Sequence, residues 1–345
     1  MNIAVIFGGI STERNVSIAG GKSVIEALRS KGHKVIPIDP AFGADTHKAE
    51  EALIDLTKFP TLEELALMST KRYIDAVQSE VFDTIDIAFI VLHGKNGEDG
   101  LIQALLDLRC IPYTGSGVKA SALAMDKLSS KNLFAAAGLL TPAWIIVTKE
   151  DLESDSLIKD IRNNLGKKIV VKPNNQGSSV GVSILDLSDN DLIREALENA
   201  LKYSDRIIVE QFIEGREITV AMLGDKVLPV IEIIPNNEFY DYKHKYTKGN
   251  TIYECPAKIP EDIAEFAQSM AIISNNVIGA EGFSRADFRL SEDGEPFLLE
   301  LNTIPGFTSS SLVPMAAKEV GIEFPELCEE IIQIALEKFK EQKEN

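Results

Sequence analysis

Apolar residues along the first third of the chain come in short runs separated by helical patterns. NIAVIFGG, HKVIPID and TIDIAFIVLHG read as buried strands. SVIEALRSKG, a long polar-to-helical stretch over 41–80 and GLIQALLDLRC carry the three-to-four-residue spacing of helices. Strands alternating with helices predict a parallel sheet covered on both faces, a doubly wound α/β unit. IPYTGSG at 111–117 reads as a closing strand and a turn into the next unit.

From about 118 the pattern changes. One helix (KASALAMDKLSSKNLFAAAG), a strand (AWIIV), a helix over 150–165, two strands around the glycine loop of KKIVVKPNNQGSSVGVSIL, a helix over 190–202 and a strand (RIIVEQF) follow in turn. That order predicts an α+β layer. Beyond 213 come the strand pair EITVAMLGDKVLPVIEII turning at Gly224-Asp225, a polar loop over 235–257, a helix over 261–280, a hairpin, and the last helix FPELCEEIIQIALEKFK.

The hairpin SRADFRLSEDGEPFLLELN carries a test of its own register. If Asp293-Gly294 is a two-residue turn, Leu290 faces Phe297, Phe288 faces Leu299 and Ala286 faces Leu301, which makes one face apolar. The other face then sets Asp287 opposite Glu300 and Arg285 opposite Asn302. Two carboxylates placed opposite each other repel, so the pair needs a cation. A hard divalent ion on Asp287, Glu300 and Asn302 supplies one; pairing of the acids to Arg285 and Arg289 on a solvated face supplies another.

Composition narrows the partners. Asp and Glu outnumber Lys and Arg 53 to 35, a formal charge of -18, which repels nucleic-acid backbones and anionic membranes. A phosphate ligand must therefore be held locally. MNIAVIFGG enters a strand without the basic start of a signal peptide, and no apolar run reaches the roughly 18 residues of a membrane span. Cys110, Cys255 and Cys328 stand far apart, as reduced thiols of a cytoplasmic protein do. Length predicts two or three domains.

Candidate phosphate groups differ in quality. GGKS at 20–23 lacks the first glycine of a Walker A loop, because Val16 stands there, and Gly8-Gly9 is only part of a dinucleotide motif. IVVKPNNQGSSVGV is stronger: Lys172 ends an apolar strand without a partner in sequence, and the loop after it offers N–H groups and hydroxyls to phosphates. Lys127 in LAMDKLSSK is a second candidate, although either lysine also serves as a surface residue with a buried stem. Glu210 in RIIVEQF and Glu217 in GREITV suit ribose hydroxyls, or mark an edge strand.

Taken in order, GGISTERNVS, HGKNGEDG, PYTGSGVKASALAMDK, VVKPNNQGSSVGV, VEQFIEGREITVA, FYDYKHKYTKGNTIYECPA, GFSRADFRL and ELNTIPGFTSSSLVPMAA resemble the ATP-grasp ligases, and within them the D-alanine:D-alanine ligase family. The segments keep order and spacing over nearly the whole chain. The resemblance implies an ATP-grasp fold preceded by a Rossmann-like domain, with divisions at 1–115, 116–211 and 212–345. It implies ATP and two Mg²⁺ (or Mn²⁺) ions, with Lys127, Lys172, Ser178 and Lys245 near phosphates, Glu210 and Glu217 near the nucleoside, and Asp287, Glu300 and Asn302 on the metals. Glu13 would hold the first D-alanine's ammonium with His93 nearby, and Ser178 and Tyr246 would connect to Glu13. Arg285 and the Gly306 N–H would form an oxyanion hole, and Ser311 with Leu312 would bind the second substrate. His93 at a strand end also suits a core or capping role, and Glu13 a helix-start carboxylate.

The activity implied is ATP-dependent joining of two D-alanines through an acyl phosphate, for peptidoglycan precursors, by a homodimer without nucleic-acid or membrane partners. A D-alanine:D-lactate or D-alanine:D-serine ligase is the nearest alternative, and Tyr246, where depsipeptide-forming relatives typically carry histidine, favours an amine acceptor. A non-catalytic nucleotide-binding regulator is the alternative from another class. Phe307 stands where the family more often has methionine.

Overall fold

The structure is a computed structural model that describes residues 1–54, 62–154, 156–235 and 251–344. Its first unit runs β1 (Asn2–Ile6), α1 (Arg14–Ser30), β2 (Lys34–Ile38), α2 (Thr46–Ala52), α3 (Leu62–Leu67), α4 (Lys71–Gln78), β3 (Ile87–Ile90) and α5 (Leu101–Leu108). The strands pair in parallel in the order β2-β1-β3. Strand pleating splits β1 between two cores. Ile3, Val5 and Phe7 pack with Val24 and Leu28 of α1, while Ala4 and Ile6 pack with Tyr73, Phe82 and Leu106. The sheet is thus covered on both faces, as the alternating pattern predicts.

One local reading resolves differently, and the rejection of GGKS as a phosphate loop holds. IPYTGSG forms a single parallel bridge, Tyr113 to Ala88, and not a strand. Pro112 has no N–H to donate, and Gly115 turns the chain away at φ 87. GGKS lies inside α1, where the two glycines let the helix approach the sheet: a Cβ on Gly21 would fall 2.6 Å from Phe7 and one on Gly20 2.8 Å from Val91.

The second unit comprises α6 (Val118–Met125), α7 (Lys127–Ala136), β4 (Trp144–Thr148), α8 (Leu157–Leu165), β5 (Lys168–Pro173), β6 (Ser183–Asp186), α9 (Asn190–Ala200) and β7 (Arg206–Gln211). Its sheet is antiparallel, ordered β4-β7-β5-β6. Val147, Ile169, Val171, Ile207 and Val209 point at α8 and α9. Alternation places Trp144, Val170, Lys172, Ile208 and Glu210 on the opposite face. The helix expected over 119–138 breaks at Asp126, whose extended backbone and carboxylate cap α7 through the Ser129 N–H at 2.8 Å. Hydrophobic spacing carries no trace of that break, because both halves bury apolar residues on the same side.

The third unit holds β8 (Gly215–Leu223), β9 (Lys226–Val227), β10 (Ile231–Pro235), β11 (Thr251–Glu254), α10 (Glu261–Ile278), β12 (Phe283–Ser291), β13 (Pro296–Asn302), α11 (Leu312–Glu319) and α12 (Phe324–Glu344). The described strands form one antiparallel sheet, β11-β10-β8-β12-β13, with β9 on β8. Part of the expected polar loop is therefore the strand β11. One face packs against α6, α7 and α10 through Ile218, Val220, Ala286, Phe288 and Leu301. At the far end Leu223 and Phe283 join Phe7, Phe89, Phe307 and Ile331 in a core shared with the first unit.

The β12–β13 register corrects the two-residue turn. Arg285 faces Asn302, Ala286 faces Leu301 and Asp287 faces Glu300, as expected; from there the pairing shifts by one, with Phe288 opposite Leu298 and Leu290 opposite Pro296. The turn takes three residues, Glu292-Asp293-Gly294. Ser291 N–H bonds to Glu295 O at 2.9 Å, and Gly294 supplies the left-handed conformation, φ 84. A bulge at Leu299 absorbs the extra residue. Leu298 and Leu301 are both buried as a result, and Phe297 and Leu299 are not the core pair that plain alternation predicts.

Candidate functional site

The switch point of the parallel sheet lies between β1 and β3, and the loops leaving those strands carry Glu13 and His93. Asp39, at the end of β2, is 1% exposed and fixes the first loop: it accepts from Gly9 N–H at 3.0 Å and pairs with the buried Arg14, which also donates to Gly9 O at 2.6 Å. Ser17 donates to Val91 O at 2.6 Å and accepts from Gly8 N–H at 2.8 Å, tying the start of α1 to β3. Ser11 does the same one turn earlier through His93 O, at 2.6 Å.

Glu13 is the residue before α1 and is only 6% exposed. It does not cap its helix; its Oε1 accepts instead from Ser178 Oγ in the glycine loop of the second unit. Ser178 and Ser179 hold positive φ, 49 and 60, a conformation that costs a residue with a side chain. His93 is buried, with Nδ1–H donating to Val91 O at 2.8 Å, which turns Nε2 away without a hydrogen-bond partner. Burial pushes the His93 pKa down against the opposing field of Glu13, so the ring is neutral.

Lys127 begins α7, where Asn174 clamps it: Asn174 O accepts from Lys127 N–H, and the Asn174 side chain bridges Leu128 N–H and the Asp126 carboxylate. The Lys127 ammonium donates to Gln176 O at 2.8 Å and sits 3.1 Å from Glu300. It joins the glycine loop to the β12–β13 hairpin. Lys172 is not the unpartnered lysine expected from its strand, since it donates to Glu210 Oε1 at 2.5 Å. The second oxygen of Glu210 lies 3.1 Å from Lys131. Burial pushes the Glu210 carboxyl up, but Lys172 and Lys131 outweigh it and hold the group below its usual range.

On the hairpin Arg285 grips Asp287 with two bonds of 2.7 Å, while Thr219 and Asn302 add donors at 2.6 and 2.9 Å. The facing acids are thus compensated by Arg285 on one side and Lys127 on the other. Arg289 takes no part: it donates to Ile213 O and Gly215 O. Glu217 lies across from Arg289 in the β8–β12 register. Gly306 and Ser311 are neighbours, with Ser311 Oγ 3.8 Å from where a Gly306 Cβ would stand. Ser311 caps the start of α11 without a side-chain cap bond and accepts from Thr308 N–H at 2.9 Å; Leu312 packs against the shared core. Lys245 and Tyr246 lie outside the described residues.

Two residues of the site escaped the sequence. Glu98, in HGKNGEDG, accepts from Gly94 N–H at 2.6 Å and faces Glu13, Lys127 and Glu300, so that burial and its acidic neighbours raise its pKa to about 8. Lys131 stands four residues after Lys127, a spacing that puts both lysines on one helix face and was the available signal. Among the described residues no group of three or more His, Cys, Asp or Glu converges as for a metal. Asp287, Glu300 and Asn302 form a set of two carboxylates and an amide.

Comparison with known proteins places the chain as a whole. The family description D-ala D-ala ligase N-terminus matches residues 2–116, and D-ala D-ala ligase C-terminus matches residues 133–333. The chain is 40% identical over 339 residues to D-alanine--D-alanine ligase of Geobacter sulfurreducens, covering 98% of this chain and 95% of that one. The crystal structure of D-alanine--D-alanine ligase from Bacillus anthracis superposes with a TM-score of 0.79 at 33% identity, covering 99% of both chains. The same enzyme complexed with ATP gives 0.77 at 31% identity, with the same coverage.

Proposed function

From the premise that this chain belongs to the D-alanine:D-alanine ligase family and has its ATP-grasp fold, we propose that it joins two D-alanine molecules at the expense of ATP. The observation that carries this reading is the meeting of three units at one site: Glu13 bonded to Ser178, Lys127 beside Glu300, and Arg285 on Asp287 and near His93. A nucleotide-binding regulator needs the lysines and acids alone. It has no use for a buried carboxylate at the opposite end.

The first D-alanine places its ammonium on Glu13 and its carboxylate toward the lysines. That carboxylate attacks the γ-phosphorus of ATP; the new P–O bond forms as the bond to ADP breaks. Lys127 and Lys172 release Glu300 and Glu210 to meet phosphate oxygens, exchanging one anion for a more highly charged one. The deprotonated amine of the second D-alanine then attacks the acyl carbon, and the C–N bond replaces the C–O bond as phosphate departs. Arg285 and the Gly306 N–H receive the intermediate's oxyanion, each worth about 3 kcal/mol in a site closed to water. Ser311 and Leu312, at the positive end of α11, receive the second carboxylate.

Asp287, Glu300 and Asn302 offer the hard oxygen donors that magnesium or manganese takes, so the residues present fit a divalent ion. When bound, such ions neutralise phosphate charge during transfer. Divisions near 115 and 211, a homodimer, a cytoplasmic location and a place in peptidoglycan precursor synthesis complete the proposal. Among the described residues no helix is long and apolar enough to cross a membrane.

Incubation with ATP, magnesium and D-alanine tests it, with phosphate release and dipeptide read together. Equal amounts of both products are expected. Turnover that requires D-lactate or D-serine would move the assignment to those ligases, and nucleotide binding without turnover would move it to a regulator.

A further inference from the structure

Lys131 is fully buried and has no place in the chemistry above. Its ammonium donates to Thr141 Oγ1 at 2.6 Å, lies 4.9 Å over the Trp144 ring and stands 3.1 Å from Glu210 Oε2. The side chains of Lys131 and Glu210 are 0% and 3% exposed. Two lysines therefore flank one carboxylate in a dry corner, an excess of positive charge that a carboxylate alone does not require.

The two lysines are not equivalent. Lys172 holds Glu210 Oε1 by a hydrogen bond; Lys131 compensates Oε2 in charge from 3.1 Å, out of line for a well-directed bond, and no other donor reaches that buried oxygen. Around them lie Trp144, Val170 and Ile208, the apolar wall derived above from strand alternation. A carboxylate with unused acceptor capacity on an apolar wall suits a flat ring that carries an N–H donor. When Lys172 turns to phosphates, Glu210 loses one of its two cations. Were Lys131 absent as well, burial would act unopposed and favour the protonated carboxyl, which donates as well as accepts.

We propose that Lys131 is a positioning residue for nucleobase selection: it keeps Glu210 ionised once Lys172 has turned to the phosphates, so that Glu210 accepts from an amino-purine and rejects an oxo-purine. This deepens the ATP-dependent reading above and rests on it. Burial lowers the Lys131 pKa to about 8 against the attraction of Glu210, which leaves the ammonium mostly charged at neutral pH. Glu210 and Lys172 are the charged groups that face it.

Trp144 is the chain's single tryptophan and lies under Lys131, so its fluorescence reports nucleotide binding in this corner. Titrations of wild type and Lys131→Met with ATP and with inosine triphosphate, whose base carries an oxygen in place of the amino group, are paired with initial rates at saturating D-alanine. Lys131→Met is expected to weaken ATP binding and to cut the preference for ATP over inosine triphosphate by roughly tenfold or more, the scale of a lost polar discrimination. The KM for D-alanine stays unchanged. Equal losses for both nucleotides, or an unaltered preference, would overturn the proposal. Should Lys131→Met fold poorly, Lys131→Met/Glu210→Gln removes both charges together; a wild-type preference in that pair would overturn it equally. Failure of the ligase reading shows separately, as absent dipeptide, while the fluorescence titrations still decide the role of Lys131.

Discussion

Glu13 keeps its position because glycine stands on both sides of it. A Cβ at Gly177 would come 2.5 Å from Glu13 Oε2, and one at Gly94, where φ is 69, would come within 2.8 Å. Gly177 holds no positive φ, so alanine is tolerated by its backbone and acts only through this contact. Gly177→Ala should displace the Glu13 carboxylate from Ser178, raise the KM for D-alanine roughly tenfold and change stability by less than about 1 kcal/mol. Initial rates and urea unfolding check it, and an unchanged KM would remove Glu13 from the substrate site. At this scale the sequence was legible where a residue's type conflicts with its surroundings, as for Glu300 in an apolar strand. Partners were not legible: Lys172 read as unpaired because Glu210 is 38 residues away, and only the β5–β7 pairing brings them together.

The element that organises the site is the hairpin, and its bulge is what lets it do two jobs. Were Leu299 paired in the ladder and not bulged out of it, strict alternation from Leu298 would turn Glu300 into the core and Leu301 out of it. Local turn chemistry hid this: Asp293-Gly294 suits a two-residue turn and equally ends a three-residue one. The site end of the hairpin was read correctly because Asp287, Glu300, Arg285 and Asn302 lie beyond the bulge. The strand's continuation is anchored by Phe307, 1% exposed, with ring centroids 5.8, 5.1 and 5.4 Å from Phe89, Phe283 and Phe324. Those partners come from the parallel sheet, the antiparallel sheet and the last helix. Phe307→Ala should therefore destabilise the protein by about 3–5 kcal/mol, whereas Phe307→Met, close in volume and flexible, should cost less than about 1.5 kcal/mol. Urea midpoints decide it; similar losses for both would mean the ring stacking, and not the filled volume, holds the loop beside Gly306.

Across the whole molecule the site gathers charge that folding must tolerate. Glu98 lies at the centre of this cost, beside Glu13 and Glu300 and opposed by Lys127. In the unfolded chain its carboxyl loses its proton near the ordinary 4.5; in the folded protein it does so near about 8. Between those values the folded state holds a proton that the unfolded state lacks, so stability contributed at this position falls as pH rises through the window and levels off above it. The net charge of -18 adds its own repulsion as pH rises, but it does so in any variant with the same surface. Glu98→Gln keeps the Gly94 N–H acceptor and removes the titration. Unfolding midpoints measured across that window should fall with pH more steeply for the wild type than for Glu98→Gln, so that the variant gains relative stability toward the alkaline end. Parallel curves would mean that Glu98 ionises without penalty, and that bound substrate is not needed to relieve the crowding of three acids around Lys127.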